Sequence, residues 1–134
     1  FYGTLRSLEV RKAVIGESSD NHNISLGYLL KHKVFRVKNA NYPLIKYTNN
    51  QVDVVKGLLI NNITFEELKK LDRFEGRNYF RQFVKVNVDQ IHHDAQIYMP
   101  CKNMVSEEPW DYDKWYKNDM KNFFIHEFDL NGVK

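Results

Sequence analysis

The sequence has little of the residues that mark several specialised classes of protein. Its 134 residues include one cysteine, three prolines and six glycines. Cys101 has no second cysteine to pair with, so an internal disulfide is excluded and nothing requires an oxidising compartment. The low glycine and proline content excludes a collagen-like or low-complexity chain. Since no apolar run approaches the roughly 18 residues of a membrane helix, we expect no membrane partner and take the cytoplasm as the default location.

An excess of charge of one sign is also lacking. The chain has 20 Lys and Arg against 17 Asp and Glu, which gives a formal net charge of +3. The basic residues are scattered, whereas a nucleic-acid footprint would concentrate them on one face, often with aromatic residues between them. Aromatic residues make up 14% of the chain, which keeps single-stranded nucleic acid as an alternative ligand, but we expect no nucleic-acid partner.

What is present is ordinary for a folded domain. Hydrophobic residues are 43% and charged residues 28% of the chain, values that argue against disorder. The length favours one domain over residues 1–134, because single domains usually span about 100–200 residues. The chain opens abruptly on a glycine turn at Phe1–Gly3, so we expect further residues upstream, and a targeting segment there stays open.

Three helices are predicted. Ser7 is a suitable N-cap and Gly16 a suitable stop for a short first helix, which a polar loop over 17–23 follows. A capping box of Thr64 and Glu67 opens a second helix, predicted to end near Asp72. A third helix is predicted by residues at 3.6-residue spacing near the end of the chain: Tyr112, Trp115, Tyr116, Met120, Phe123 and Phe124. That face docks on the core or on a partner subunit, so a monomer and a homodimer both stay open.

Most of the remaining chain favours strands. Alternating or β-branched residues predict strands at 26–30, 34–37, 42–45, 52–60, 80–88 and 95–99. Gly27 and Gly57 lie inside two of these segments and fit the bends of a curved sheet or small barrel. The predicted fold class is therefore α+β, a small mixed β-barrel with a few helices.

Several familiar sites are missing from the sequence. No two glycines fall two positions apart, which excludes G-x-G-x-x-G, and neither a phosphate-loop nor a nucleophile-elbow motif occurs. His92, His93 and Asp94 form the only dense group of potential metal ligands, but neighbouring strand residues point to opposite faces of a sheet. We therefore expect neither a metal nor another cofactor.

Two segments remain as candidates for chemistry. Tyr2–Leu5 is a glycine turn before a helix, where backbone amides without partners can bind a carboxylate or an oxyanion. Glu75 follows an apolar helix, where a partly dry pocket would raise its pKa toward that of a general base. On the residues alone, the alternative is a surface ion pair between Glu75 and a nearby arginine, namely Arg73, Arg77 or Arg81.

Four segments follow one another in a set order along the chain. They are Tyr2–Leu5, Tyr42–Ile45, Val55–Leu59 and Leu71–Arg81, the last with the pattern Leu-Asp-x-Phe-Glu-Gly-x-x-Tyr-x-Arg. The ordered set resembles the γ-glutamylcyclotransferase-like family, in its AIG2-like, γ-glutamylamine cyclotransferase branch. The resemblance covers about residues 1–99, and the set is far more specific than any one of its segments.

The resemblance implies a mixed α/β domain on a small β-barrel, with a first strand upstream of Phe1. It implies an enzyme without a cofactor, in which Glu75 is the general acid and base. The residues implied to contact the substrate are Tyr2, Gly3, Thr4, Leu5, Tyr79 and Arg81. The amides of Tyr2–Leu5 would bind the γ-glutamyl group, while Tyr79 would line the pocket and Arg81 would orient the loop or a carboxylate.

The implied reaction converts a small γ-glutamyl amine or peptide into 5-oxoproline and a free amine. The α-amine of the substrate attacks its own γ-carbonyl, and the identity of the leaving amine stays open. The rival interpretation is a module on the same scaffold that binds a small acid without converting it, because a fold does not settle a function.

Overall fold

The computed structural model describes residues 1–16, 19 and 22–133 of the chain. The expected α+β class is confirmed, since these residues form four α-helices and seven β-strands. The helices are α1 (Leu8–Ile15), α2 (Phe65–Glu75), α3 (Tyr112–Asn118) and α4 (Met120–His126). The strands are β1 (Ile24–Leu30), β2 (His32–Val37), β3 (Pro43–Tyr47), β4 (Val54–Ile60), β5 (Tyr79–Val88), β6 (Ile91–Pro100) and β7 (Ser106–Pro109). The loop predicted over 17–23 lies largely outside the described residues.

The strands form two antiparallel sheets. The first has the order β4-β1-β5-β6 and the second the order β3-β2-β7. The sheets pack through a shared apolar cluster, to which the first contributes Leu29 and Val55 and the second contributes Ile45. Ile45 is fully buried, so the Tyr42–Ile45 segment, which overlaps β3, ends between the two sheets.

The expected closed barrel is not formed by the described residues, because the strands pair within two separate sheets. The two internal glycines allow close packing of neighbouring segments and do not mark the bends of a barrel. They lie opposite each other in the β1–β4 ladder, Gly27 against Gly57. A Cβ on Gly27 would lie 2.7 Å from Cγ1 of Val86, and one on Gly57 would lie 2.5 Å from the Phe1 carbonyl oxygen. Both glycines therefore permit close approach of a neighbouring segment.

Helices α1 and α2 begin where their caps predict. The Ser7 side chain accepts from the amide of Val10, and the Thr64–Glu67 capping box is present in full. Helix α2 runs three residues beyond the predicted end at Asp72, because Phe74 adds a fully buried side chain to its apolar face. Gly76 then ends the helix with a positive φ of 73°, a conformation that favours glycine. Glu75 is thereby the last residue of α2.

The aromatic stripe near the end of the chain packs on the core, as the first of its two interpretations predicts. Trp115 and Phe123 are almost fully buried in the largest apolar cluster, together with Leu71 and Phe74 of α2. The stripe lies on two helices rather than one, since the helix is interrupted at Asp119. No helix in the described part of the chain combines the length and apolar character needed to cross a membrane.

Candidate active site

The end of α2 and the first five residues of the chain meet at a cavity. The cavity has a volume of about 40 Å³. Its wall includes Phe1, Tyr2, Gly3, Thr4, Leu5, Tyr42, Pro43, Phe74, Glu75, Tyr79, Gln96, Ile97, Tyr98 and Val133. Three of the four segments quoted for the family resemblance thus supply residues to one small space, and they are far apart in sequence.

Glu75 faces this cavity without an ion-pair or hydrogen-bond partner among the residues that the structure describes. The ion pair with a neighbouring arginine is therefore not formed there. Burial raises the pKa of Glu75 to about 8, with a further increase from the Asp72 charge. The carboxyl group is thus poised to exchange a proton near neutral pH.

The loop Tyr2–Leu5 is held close to its neighbours. A 3₁₀ turn over Thr4–Arg6 overlaps its second half, and in the described part of the chain the amides of Thr4 and Leu5 have no protein acceptor. A Cβ on Gly3 would lie 2.6 Å from Cγ of Pro43, so glycine lets the loop rest on the proline ring. The loop therefore brings backbone donors to the cavity wall in a fixed position.

Tyr2 and Tyr79 fix the loop and the cavity wall through their hydroxyl groups. The Tyr2 hydroxyl donates to the carbonyl of Tyr98 at 2.7 Å, and the Tyr79 hydroxyl donates to the carbonyl of Pro43 at 2.8 Å. Burial raises the pKa of both phenols, with further increases from negative charge that includes Glu75. Both tyrosines therefore stay protonated and serve as donors.

Arg81 does not line the Glu75 cavity. Its Nε donates to the carboxylate of Asp72 at 2.9 Å, and a terminal nitrogen donates to the side chain of Gln96 at 2.5 Å. The hydroxyl of Tyr98 donates to the same Asp72 oxygen at 2.7 Å. Arg81 therefore holds a carboxylate of the protein itself beside the cavity, and its predicted contact with substrate stays a prediction.

The remaining segment of the resemblance, Val55–Leu59, contacts the start of the loop and is not part of the cavity wall given above. The Phe1 carbonyl accepts from the Leu58 amide at 2.9 Å, and the Phe1 backbone nitrogen donates to the Leu58 carbonyl at 2.7 Å. Gly57 leaves the space for this pairing. Val55–Leu59 therefore positions the start of the loop that lines the cavity.

The contributors that sequence reasoning missed include Tyr98, on the cavity wall, and Asp72, which accepts from Tyr98 and Arg81. Asp72 is one helical turn before Glu75 in the quoted motif, a spacing that places the two on neighbouring positions of the helix surface. Tyr98 pairs directly with Arg81 across the β5–β6 hairpin. This pairing depends on the hairpin register, which Asp89 and Gln90 set as a two-residue turn with positive φ but without the usual asparagine or glycine signal.

The fold and the site together define a small α+β domain in which a lone carboxyl group shares a cavity with an amide-bearing loop. The chain belongs to the gamma-glutamyl cyclotransferase, AIG2-like family, whose model matches residues 1–117. Membership suggests a cyclotransferase-type function, since the family is generally enzymatic.

Two relatives are AIG2-like proteins, and two solved structures share the fold. The chain is 30% identical over 128 residues to AIG2-like protein C of Arabidopsis thaliana, covering 91% of this chain and 70% of that protein. It is 30% identical over 95 residues to AIG2-like protein B of the same plant, covering 68% of this chain and 54% of that protein. Two solution structures of Arabidopsis thaliana proteins share the fold. One has a TM-score of 0.66 at 21% identity, covering 93% of this chain and 75% of its own, and the other has 0.61 at 24%, covering 93% and 83%.

Proposed function

We propose that the protein is a γ-glutamyl cyclotransferase that releases 5-oxoproline and a free amine from a γ-glutamyl amine or peptide. One observation carries this proposal: the Glu75 carboxyl group, without a protein partner in the described structure, shares a cavity with the amides of the Tyr2–Leu5 loop. A titratable group raised to about pKa 8 beside unbonded backbone donors is the arrangement that proton transfer at an acyl group needs.

The reaction is internally balanced. A bond forms between the α-nitrogen and the γ-carbon of the substrate, and the bond from the γ-carbon to the leaving nitrogen breaks. The α-nitrogen begins as an ammonium with three protons and ends as the lactam N–H with one. Glu75 takes the two protons in turn and passes each to the leaving nitrogen, which departs as an ammonium. The nucleophile is tethered to its target, so correct folding of the substrate supplies much of the rate enhancement. One carboxyl group acting twice contributes about 10²–10⁴-fold.

The loop would bind negative charge on the substrate. Amides of Gly3, Thr4 and Leu5 would donate to the substrate carboxylate or to the oxygen of the tetrahedral intermediate, where one donor is worth about 10²–10³-fold. Tyr79 would complete the wall beside Glu75. The contacts with Pro43 and Tyr98 that hold the loop in place support this assignment, because donors fixed in advance need no rearrangement during the reaction.

The test is a nearly isosteric change at the carboxyl group. Glu75→Gln keeps the shape but cannot accept a proton, so 5-oxoproline release from γ-glutamyl amines should fall by about 10²–10⁴-fold. Glu66→Gln is the matched control, because Glu66 lies on the solvent side of the same helix and pairs with Lys69. Release by Glu75→Gln at the wild-type rate would contradict the assignment.

A binding module for small acids is the second candidate. It is favoured by the raised pKa of Glu75, because a carboxyl group that stays protonated at neutral pH can donate a hydrogen bond to an anionic ligand. Stabilisation of the protein by γ-glutamyl compounds, without any 5-oxoproline from the whole panel, would select this candidate over the enzyme.

A further inference from the structure

We propose that a second, larger cavity beside the Glu75 cavity holds the leaving amine of the substrate and selects an apolar one. This inference rests on the proposed function and narrows its substrate class. The larger cavity has a volume of about 260 Å³ and lies between the first sheet and α2. Its occupant would be the alkyl or aryl group attached to the departing nitrogen of a γ-glutamyl amide.

The two cavities share a wall. Phe1, Tyr2, Gln96, Ile97 and Tyr98 line both of them. The smaller cavity, at about 40 Å³, has little room for anything beyond the reacting part of a substrate. We infer that a group attached to the γ-carbonyl beside Glu75 enters the larger cavity when this shared wall opens, at the hydrogen bond from the Tyr2 hydroxyl to the Tyr98 carbonyl.

The lining of the larger cavity is mostly aliphatic. Strands of the first sheet contribute Leu29, Val55, Leu59 and Val84, and the neighbouring helix contributes Leu71. An apolar cavity of about 150 Å³ already suffices to bind benzene, so this space accommodates a branched alkyl chain or a single ring. Burial of each added methylene there should favour the substrate about three- to fourfold.

The charged residues on the lining are already neutralised by the protein. Arg81 donates to Asp72 and to Gln96, while Asp94 forms an ion pair with Lys85. An ammonium or carboxylate on the leaving group would thus lose water without gaining a free counter-charge from Arg81 or Asp94. Leaving amines that carry a charge are therefore disfavoured against apolar amines of the same length.

A substrate series tests this preference. The substrates are the γ-glutamyl amides of ethylamine, butylamine, 1,4-diaminobutane and 4-aminobutanoic acid, each assayed for 5-oxoproline release. We expect kcat/KM to rise about tenfold from ethyl to butyl and to fall below the ethyl value for both charged four-carbon amines. Equal kcat/KM for the butyl and charged amides would overturn the inference.

A cavity-filling series locates the effect. Ala95 has the smallest non-glycine side chain on the lining, so Ala95→Leu and Ala95→Phe should reduce kcat/KM for the butyl amide in steps while leaving the ethyl amide nearly unchanged. Ala13 is exposed on α1, and the same changes there serve as matched controls. Loss of the butyl preference in the Ala95 variants alone supports the site.

The outcomes separate this inference from the function on which it rests. If no amide yields 5-oxoproline, the proposed function fails. If all amides yield it at similar rates, or if Ala95→Leu lowers the ethyl and butyl rates equally, the enzyme stands and the leaving-group cavity is wrong. Should Ala95→Phe fail to fold, the Ala95→Leu series still decides.

Discussion

Two of the four carboxyl groups on helix α2, those of Glu67 and Glu75, have contrasting surroundings. Glu67 is 5% exposed, and its oxygens accept from the amide of Thr64 at 2.9 Å and contact Nε2 of His22 at 2.7 Å. Glu75, two turns further along, has no such partner among the described residues and faces a cavity. One carboxyl group holds the helix start in place, and the other is left free to react.

The comparison shows that burial alone does not identify a reactive group. Glu67 is buried and its desolvation is compensated by hydrogen bonds. Glu75 is half-buried at the cavity and has no such compensation, so its partial desolvation raises its pKa. The sequence predicts only one of these roles directly. Glu67 stands three residues after Thr64 in a capping box, whereas Glu75 has three nearby arginines as possible partners in the sequence, and only the structure shows that it pairs with none of those described.

Paired replacements should separate the two roles most strongly. Glu75→Gln is expected to lower kcat by about 10²–10⁴-fold and to leave the fold intact. Glu67→Gln should instead lower the free energy of unfolding by about 1–3 kcal/mol, through the lost cap and the contact with His22, while kcat of the folded protein stays near wild type. Urea unfolding measures the free energy of unfolding, and 5-oxoproline release measures kcat on the same preparations. A loss of kcat in Glu67→Gln together with a loss of stability in Glu75→Gln would contradict these roles.

The dependence of stability on pH should differ between wild type and Glu75→Gln. The folded protein keeps the Glu75 proton up to a pKa of about 8, whereas the unfolded chain releases it near pH 4, so unfolding releases a proton between these limits. Stability contributed by the protonated form is thus complete below pH 4 and is lost as the pH rises to 8. The advantage of Glu75→Gln over wild type should grow across that window, to the order of a few kcal/mol. Parallel unfolding curves at pH 5 and 8 would contradict a buried, proton-bearing Glu75.

Gly3→Ala should weaken substrate binding. The added methyl group would meet the ring of Pro43 at 2.6 Å and displace the loop from the cavity wall, so KM is expected to rise about tenfold, equivalent to about 1.4 kcal/mol. The contact involves ring atoms alone, so the double variant with Pro43→Ala should recover most of the loss. An unchanged KM in Gly3→Ala would show that the loop has no binding role.

Local rules predicted much of the fold, and tertiary contacts decided the rest. Caps at Ser7 and Thr64 placed two helix starts correctly, because a capping hydrogen bond spans only three residues. The position of Arg81 was beyond such rules. Its contacts with Asp72 and Gln96 depend on the register of the β5–β6 hairpin, which a turn of Asp89 and Gln90 sets without the usual asparagine or glycine signal.

The meeting of Glu75 with Tyr2–Leu5 followed from the ordered set of segments rather than from either segment alone. Each segment is locally ambiguous, since most glycine turns bind nothing and most glutamates lie in water. The cavity that joins them depends on Gly57, which admits the Phe1 carbonyl, and on Pro43, which supports Gly3. These close approaches are properties of packing, and no single stretch of sequence contains them.

The smallest expected effect concerns Asp72, which lies on α2 between Glu67 and Glu75. Its negative charge raises the pKa of Glu75, so Asp72→Asn should move the Glu75 limb of the pH profile of kcat/KM to lower pH, by less than about one unit. Asp113→Asn is the control, because Asp113 is exposed on α3 and lines neither of the two cavities. Asn at position 72 still accepts from Arg81 and Tyr98, so the local structure is retained while the charge is removed. A limb that stays in place in Asp72→Asn would mean that the carboxyl group titrating in the profile is not Glu75.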